Sequence, residues 1–289
     1  MTSTWLREAI SGFTERRTGV HYDPKTEVMV SVGGSEAIDL AFRATLNPGD
    51  EVLIPVAAVS CKKPLARMAG GVPVMIETRA EDAFRLTPEA LRAAITPRTK
   101  LLVLPFPNNP TGGIMRREHL EAIAEVLRDF FNDTATTEIY TELTYGDQPH
   151  TSIVSLPGMQ ERTLLINGFS KAFAMTGWRL GYLCGPAPIT KMIVKLHQFG
   201  IMSAPTTAQY AAIEAMENGD EDIARMRDEY DMRRRFIVRE LNDMGLPCFE
   251  PEGAFYVFPS IACTGLQSED FCRRLLEQEH VAVVPGSAF

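Results

Sequence analysis

Short apolar runs rich in valine, isoleucine and leucine alternate along the chain with segments of helical period. This alternation is typical of a mostly parallel sheet that is covered by helices. The runs are apolar at most positions, which predicts strands buried on both faces. The predicted strands cover residues 51–55, 72–77, 100–106, 163–167 and 180–184. The fold class that this pattern predicts is α/β.

Several segments between these strands carry helix signals. Residues 5–17 have a helical pattern. Thr87 is a suitable N-cap, Pro88 fits the first turn, and Leu86 can pack against Leu91. The next helix places four apolar residues on one face, namely Leu120, Ile123, Ala124 and Leu127.

After residue 184 the spacing of apolar residues changes from short continuous runs to a helical period. Ile223, Tyr230, Ile237 and Met244 recur every seven residues, which predicts a long helix. The chain ends in an apolar run at residues 281–286, which we interpret as a strand. We predict a helical segment at residues 1–23, a large domain at 24–200 and a small domain at 201–289.

Composition narrows the classes of partner. The chain has 289 residues and a net charge of -8, which argues against nucleic acid and membrane surfaces as partners, since both need a basic face. The five cysteines form no CxxC pair and the five histidines no HExxH motif, so no disulfide framework or metal site is indicated. We therefore predict a cytoplasmic protein that binds small molecules and does not enter a membrane.

Two turns could hold a ligand. Gly33 and Gly34 lead from an apolar strand into a helix, whose free N–H groups could bind an anion, although such a pair is more often only a turn. Asn108 and Asn109 follow the strand at 100–106, at the edge where α/β sheets bind ligands. Asn-Pro and Thr-Gly favour a simple turn there as well.

Lys171 has the most informative surroundings. It follows the strand at 163–167 in a run that is almost free of charge. Burial lowers the pKa of an amine and so favours the neutral nucleophile. Arg179, eight residues later, could bind a phosphate through its fork of donors. Most lysines are solvated surface residues, and that interpretation remains the alternative.

Four segments together carry a family resemblance: GGSEA at 33–37, PNNPTG at 107–112, GFSKAFAMTGWRLGY at 168–182 and PEGAFYVFP at 251–259. They resemble the class I and II aminotransferases of fold type I, most closely the aspartate aminotransferase-like subgroup of bacteria and archaea. The resemblance implies a three-layer sandwich with a smaller, incomplete α+β domain at the C-terminus. It also implies a homodimer, pyridoxal 5'-phosphate as cofactor, and amino acid and 2-oxo acid substrates.

The same resemblance implies roles for individual residues. Lys171 would carry the cofactor as a Schiff base. Asn109 and Tyr140 would bind the phenolic oxygen of the cofactor, and Asn109 would also lie near the substrate carboxylate. The phosphate side would be formed by Gly34, Ser35, Glu36, Ser170 and Arg179.

The sequence departs from the family at several places. Thr137 stands where the family has an aspartate that pairs with the pyridine nitrogen, and residues 132–137 look too polar for the buried central strand expected there. Glu138 should point to the opposite face of that strand. Val59 stands near the place of an aromatic residue. Family members begin before Trp5 and continue past residue 289, so the resemblance implies truncation at both ends.

The predicted activity is transfer of an amino group between an amino acid and a 2-oxo acid. A carbon-sulfur lyase of the same fold is a second hypothesis, because it would share the lysine and phosphate motifs. A remnant that binds the cofactor without catalysis is a third.

Overall fold

The computed structural model describes residues 3–58, 61–130, 133–146 and 149–289. Within them, seven strands form one mixed sheet in the order β1-β7-β6-β5-β4-β2-β3. Strands β2 to β6 pair in parallel, and β7 runs antiparallel to both β6 and β1. The strands are β1 (Val28–Ser31), β2 (Glu51–Val56), β3 (Val72–Glu77), β4 (Thr99–Leu104), β5 (Asp133–Thr137), β6 (Thr163–Gly168) and β7 (Gly181–Cys184).

Helices cover both faces of this sheet. Apolar residues of α2, α3 and α7 pack on one face, while α1 with α8 and α4 with α5 pack on the other. The predicted three-layer α/β architecture is confirmed. The helices are α1 (Thr4–Thr18), α2 (Gly34–Thr45), α3 (Lys62–Met68), α4 (Pro88–Ala94), α5 (Arg117–Phe130), α6 (Phe169–Ala172), α7 (Ala187–Gly200), α8 (Thr206–Asn218), α9 (Asp220–Asp243) and α10 (Ser268–Glu279).

Side chains that alternate between the two faces of the sheet explain why helices pack on both of its faces. Leu101 and Val103 of β4 belong to the core beneath α2 and α7, whereas Leu102 and Leu104 belong to the core beneath α5. Successive side chains of a strand point to opposite faces, so an apolar run supplies both cores at once. This is the physical reason why residues 101–104 of β4 are all apolar.

Two strand predictions need correction. β3 is not buried on both faces, because it is the edge strand and leaves Val72 and Met75 exposed. The polar segment before Tyr140 does form the central strand β5, with Thr136 and Thr137 buried. Its backbone pairs with β4 and β6, and threonine has a good strand propensity, so polarity did not prevent pairing.

The predicted helix signals are confirmed. The hydroxyl of Thr87 accepts a hydrogen bond from the N–H of Ala90 at 3.2 Å and caps α4, which has Pro88 in its first turn. Leu86 and Leu91 are both buried in one core cluster. The four apolar residues predicted for α5 are all buried, namely Leu120, Ile123, Ala124 and Leu127.

The C-terminal region differs from prediction in two places. Residues 281–285 form no strand, because no described strand lies beside them to pair with, and Val281, Val283 and Val284 are exposed. Helix α9 ends at Asp243, so Met244, the last residue of the predicted heptad pattern, lies just beyond the helix and is exposed. The division into domains at residues 23 and 200 stays a prediction. Among the described residues, no helix is long and apolar enough to cross a membrane.

Candidate active site

The predicted ligand-binding residues follow the carboxyl ends of neighbouring parallel strands. Asn109 comes after β4, Tyr140 after β5 and Lys171 after β6. Because these strands are adjacent and parallel, their carboxyl ends meet at one edge of the sheet, where α/β proteins bind ligands. The fold therefore brings together three residues that are widely separated in the sequence.

Lys171 lies in α6, a single helical turn that begins directly after β6. Its Nζ atom is 5.2 Å from the centre of the Phe255 ring and 5.9 Å from the centre of the Tyr140 ring. Partial burial lowers the pKa of Lys171, and the positive charge of Arg179 lowers it further. Both effects increase the fraction of neutral amine, which is the nucleophilic form.

Tyr140 is the centre of a hydrogen-bond chain beside Lys171. Asn109 Nδ2 donates to the Tyr140 hydroxyl at 3.2 Å, and the hydroxyls of Tyr140 and Tyr256 lie 2.8 Å apart. Burial raises the pKa of Tyr140, and the bond to Tyr256 raises it further, so the phenol stays neutral. A neutral phenol can donate a hydrogen bond to a ligand oxygen.

The side chain of Asn108 makes different contacts from that of its neighbour Asn109. Its side chain is buried, donates to the carbonyl of Ala57 at 3.0 Å, and accepts from the N–H and hydroxyl of Thr111. The motif is thus both a turn and part of the site. Asn108 holds the turn, and Asn109 is free to face Tyr140.

The start of α2 lies close to the guanidinium of Arg179. Gly33 is the N-cap residue with φ of 79°, and α2 begins at Gly34. The N–H groups of the first helical turn have no acceptor within the helix. A Cβ atom on Gly33 would lie 2.7 Å from an Arg179 guanidinium nitrogen, and one on Gly181 would lie 2.6 Å from the carbonyl carbon of Gly33. Glycine at both positions permits this close approach.

Arg179 is held beside the start of α2 in a strained conformation. Its φ of 52° is in the left-handed region, which non-glycine residues rarely adopt. Its Nη1 donates to the carbonyl of Thr176 at 3.0 Å, which fixes the guanidinium. Backbone strain of this kind concentrates at functional sites.

The remaining predicted phosphate ligands differ in what they can offer. Glu36 uses its carboxylate to accept from the N–H of Val32 and to pair with His197 at 2.9 Å, so only its own N–H is available to an anion. The hydroxyls of Ser35 and Ser170 make no hydrogen bond within the described residues. They are therefore free to donate.

Thr137 and Glu138 point to opposite sides of the sheet. The hydroxyl of Thr137 is buried and has no hydrogen-bond partner among the described residues. The carboxylate of Glu138 accepts from the hydroxyl of Ser152 at 2.6 Å and pairs with His150 at 3.1 Å. Glu138 is thus occupied elsewhere and does not substitute for the expected aspartate.

Sequence reasoning missed two aromatic residues near Lys171. Phe255 and Tyr256 lie in the motif PEGAFYVFP, to which no role was given. The signal was available in the aromatic pair itself, but only the tertiary contact shows that it reaches Tyr140. Val59, singled out above, lies outside the described residues.

Comparison with known proteins agrees with this geometry. The model of the family "Aminotransferase class I and II" matches residues 2–289. YugH, a Bacillus subtilis (strain 168) protein named as an aminotransferase, is 47% identical over 284 residues, which are 98% of this chain and 73% of YugH. Aspartate aminotransferase of Pyrococcus abyssi is 43% identical over 286 residues, with 98% and 74% covered.

A solved structure extends the similarity to three dimensions. The aromatic aminotransferase from Pyrococcus horikoshii OT3 superposes with a TM-score of 0.97 at 42% identity, over 99% of this chain and 78% of that one. This chain therefore spans about three-quarters of the length of its relatives. The chain belongs to the class I and II aminotransferases, enzymes that use pyridoxal phosphate to move an amino group between an amino acid and a 2-oxo acid.

Proposed function

We propose that Lys171 is the residue that binds pyridoxal phosphate covalently and moves the substrate proton during amino transfer. The observation that carries this proposal is the position of Lys171 directly after β6, beside Tyr140 and Phe255, where partial burial lowers its pKa. When bound, the cofactor supplies the electron sink that makes loss of the α-proton feasible. The neutral Nζ of Lys171 accepts that proton and can return it, as a general base and then a general acid.

The residues around the start of α2 fit the phosphate group of this cofactor. Arg179 supplies a fixed cation, and Gly34, Ser35 and Glu36 supply N–H groups at the positive end of the helix dipole. The free hydroxyl of Ser170 can add a further donor. A Cβ atom on Gly33 or Gly181 would obstruct this cradle, which supports its use by a ligand.

The other end of the site fits the cofactor ring. The neutral hydroxyl of Tyr140 and the amide of Asn109 can bind the phenolic oxygen, and Asn109 can also bind the substrate carboxylate. The unpaired buried hydroxyl of Thr137 can bond the ring nitrogen, but it cannot provide the negative charge of an aspartate. We infer a ring that is a weaker electron sink than one paired with a carboxylate.

Amino transfer is the reaction that the relatives support over the alternatives. The proteins named above are called aminotransferases, with aspartate or aromatic substrates in two of the names. A carbon-sulfur lyase or a non-catalytic remnant has no comparable support.

Reductive trapping tests the role of Lys171. The protein is incubated with pyridoxal phosphate, reduced with borohydride and mapped by peptide mass spectrometry. We expect the label on Lys171, and the Lys171→Ala variant should lose it while Lys195→Ala keeps it. Label on another lysine, or none, would overturn the assignment.

We also propose that the chain forms a homodimer. α7 exposes an apolar row that includes Met192, Leu196 and Phe199, with Phe199 93% exposed. Such a patch marks an interaction surface. Sedimentation should show a dimer that Phe199→Ser weakens, whereas Met232→Ser, on exposed α9, should not; a monomeric wild type refutes the proposal.

The free cysteines support a reducing, cytoplasmic setting.

A further inference from the structure

A large groove opens to solvent between the start of α1, the edge strand β1 and helix α7. Its volume is about 1140 Å³, and apolar residues of β1 form part of its wall, namely Val28, Met29 and Val30. None of the residues proposed to hold the cofactor lines it. The groove is therefore separate from the site described above.

The charge of the groove is opposite to that of the chain. Within the described part of the chain, its charged lining side chains are all cations, namely Arg7, Lys25, Lys191 and Lys195, with no aspartate or glutamate, although the chain carries a net charge of -8. Among the described residues, no carboxylate forms an ion pair with any of these three lysines. The Asp23 carboxylate lies near Lys25, and Glu36 pairs with His197, but the four cations of the lining outnumber these two carboxylates and so attract an anion.

Two nitrogen atoms in the wall lack hydrogen-bond partners. His197 is 3% exposed, and its Nδ1 lies 2.9 Å from the Glu36 carboxylate, so Nδ1 carries the hydrogen and donates. Its Nε2 is buried and unpartnered among the described residues. Arg7 likewise has a buried, unpartnered Nε, while its Nη1 donates to the carbonyl of Pro24. Buried polar atoms normally have hydrogen-bond partners. Two nitrogen atoms without partners beside a basic groove therefore point to a ligand.

We propose that this groove binds a small multivalent oxyanion of metabolite size, carrying phosphate or several carboxylate groups. Lys191 and Lys195 lie one helical turn apart on α7 and present two ammonium groups to the same side. Arg7 and Lys25 add two further cations to the lining, and the imidazole of His197 lies in the same wall. The proposal goes beyond amino transfer and does not depend on it.

Titration calorimetry on the protein saturated with pyridoxal phosphate tests the site, with sodium pyrophosphate and sodium citrate as probes at low ionic strength. We expect one binding event for at least one probe. Lys191→Gln and Lys195→Gln should each weaken it on the order of fivefold. The matched variant Lys63→Gln, exposed on α3 and outside the groove, should leave it unchanged.

A variant of His197 separates the proposed ligand contact from a structural role. In His197→Asn the side-chain amide can still donate to Glu36 but no longer reaches the position of Nε2. We expect weaker anion binding, and the melting temperature in the absence of anion measures separately the packing that the smaller side chain loses. Unchanged affinity would remove His197 from the site, and the proposal would be overturned.

The two probes distinguish the source of the anion. A preference for pyrophosphate indicates phosphorylated ligands and a preference for citrate indicates carboxylates, and either supports the site. The absence of a heat signal with both probes overturns the proposal. A loss of anion affinity in Lys63→Gln equal to that in Lys191→Gln and Lys195→Gln also overturns it. Cofactor absorbance, recorded on the same samples, reports the proposed function independently.

Discussion

The hydroxyl of Tyr256 lies 2.8 Å from that of Tyr140 and links the C-terminal part of the chain to the loop after β5. This bond orients the phenol that also accepts from Asn109. We expect Tyr256→Phe to lower kcat roughly fivefold, the equivalent of about 1 kcal/mol for one lost hydrogen bond. KM should change less than kcat, because the lost hydrogen bond acts on the orientation of Tyr140. Steady-state kinetics checks this split, and an unchanged kcat would show that Tyr140 needs no such support.

Gly181 and Gly177 form a matched pair for testing the phosphate cradle. A Cβ atom on Gly181 would lie 2.6 Å from the backbone of Gly33, whereas one on Gly177 would meet nothing within 4 Å. Gly181→Ala must therefore displace the start of α2, and we expect a loss of about 1–3 kcal/mol in stability together with weaker cofactor binding. Gly177→Ala should change neither. Absorbance titration with pyridoxal phosphate and thermal melting measure both effects; equal behaviour of the variants would contradict the cradle.

Thr137 offers a gain-of-function test. Thr137→Asp would place a carboxylate opposite the ring nitrogen and favour its protonated form, which stabilises negative charge that develops in the transition state. We expect the single-turnover rate of amino transfer to rise about tenfold or more, with a smaller change in cofactor affinity. Stopped-flow absorbance measures the rate.

A control at the same position removes the hydroxyl without adding charge. Thr137→Val is close in shape and should slow the reaction, while the cofactor-free protein becomes more stable by up to about 1 kcal/mol because an unpaired buried hydroxyl is gone. If the rate for Thr137→Asp equals that of the wild type, another group already protonates the ring.

The burial of Lys62 predicts how the stability of the protein depends on pH. It is buried at the start of α3, and burial lowers its pKa to about 8 from an ordinary value of 10.5. Between these two values the unfolded chain binds the extra proton, so the free energy of unfolding rises with pH from about 8 to 10.5. Below pH 8 the folded state bears the full cost of a buried charge.

Lys62→Met isolates this contribution. We expect the variant to be more stable than the wild type by roughly 3 kcal/mol at pH 7, with the difference disappearing as the pH approaches 10.5. Urea unfolding at several pH values measures it. Lys63→Met, exposed on the same helix, is the control, and a difference independent of pH would show that Lys62 acts by packing alone.

The sequence by itself determined the elements whose signals are local. Residues 101–104 of β4 form an apolar run that is buried on both faces, and the cap of α4 needs Thr87 next to Pro88, so both could be recognised without partners. Lys171 stood out for a related reason, since a charge in an apolar run after a strand is unusual.

The tertiary structure alone decided what depends on distant partners. β5 forms despite its polar residues because β4 and β6 pair with it on both sides, and the run at residues 281–285 stays irregular because no described strand lies beside it. Tyr256 meets Tyr140 across 116 positions of sequence, and His197 meets Glu36 across 161. Local composition carries no record of such contacts, because the free energy that forms them comes from the packing of whole layers and not from neighbours in the chain.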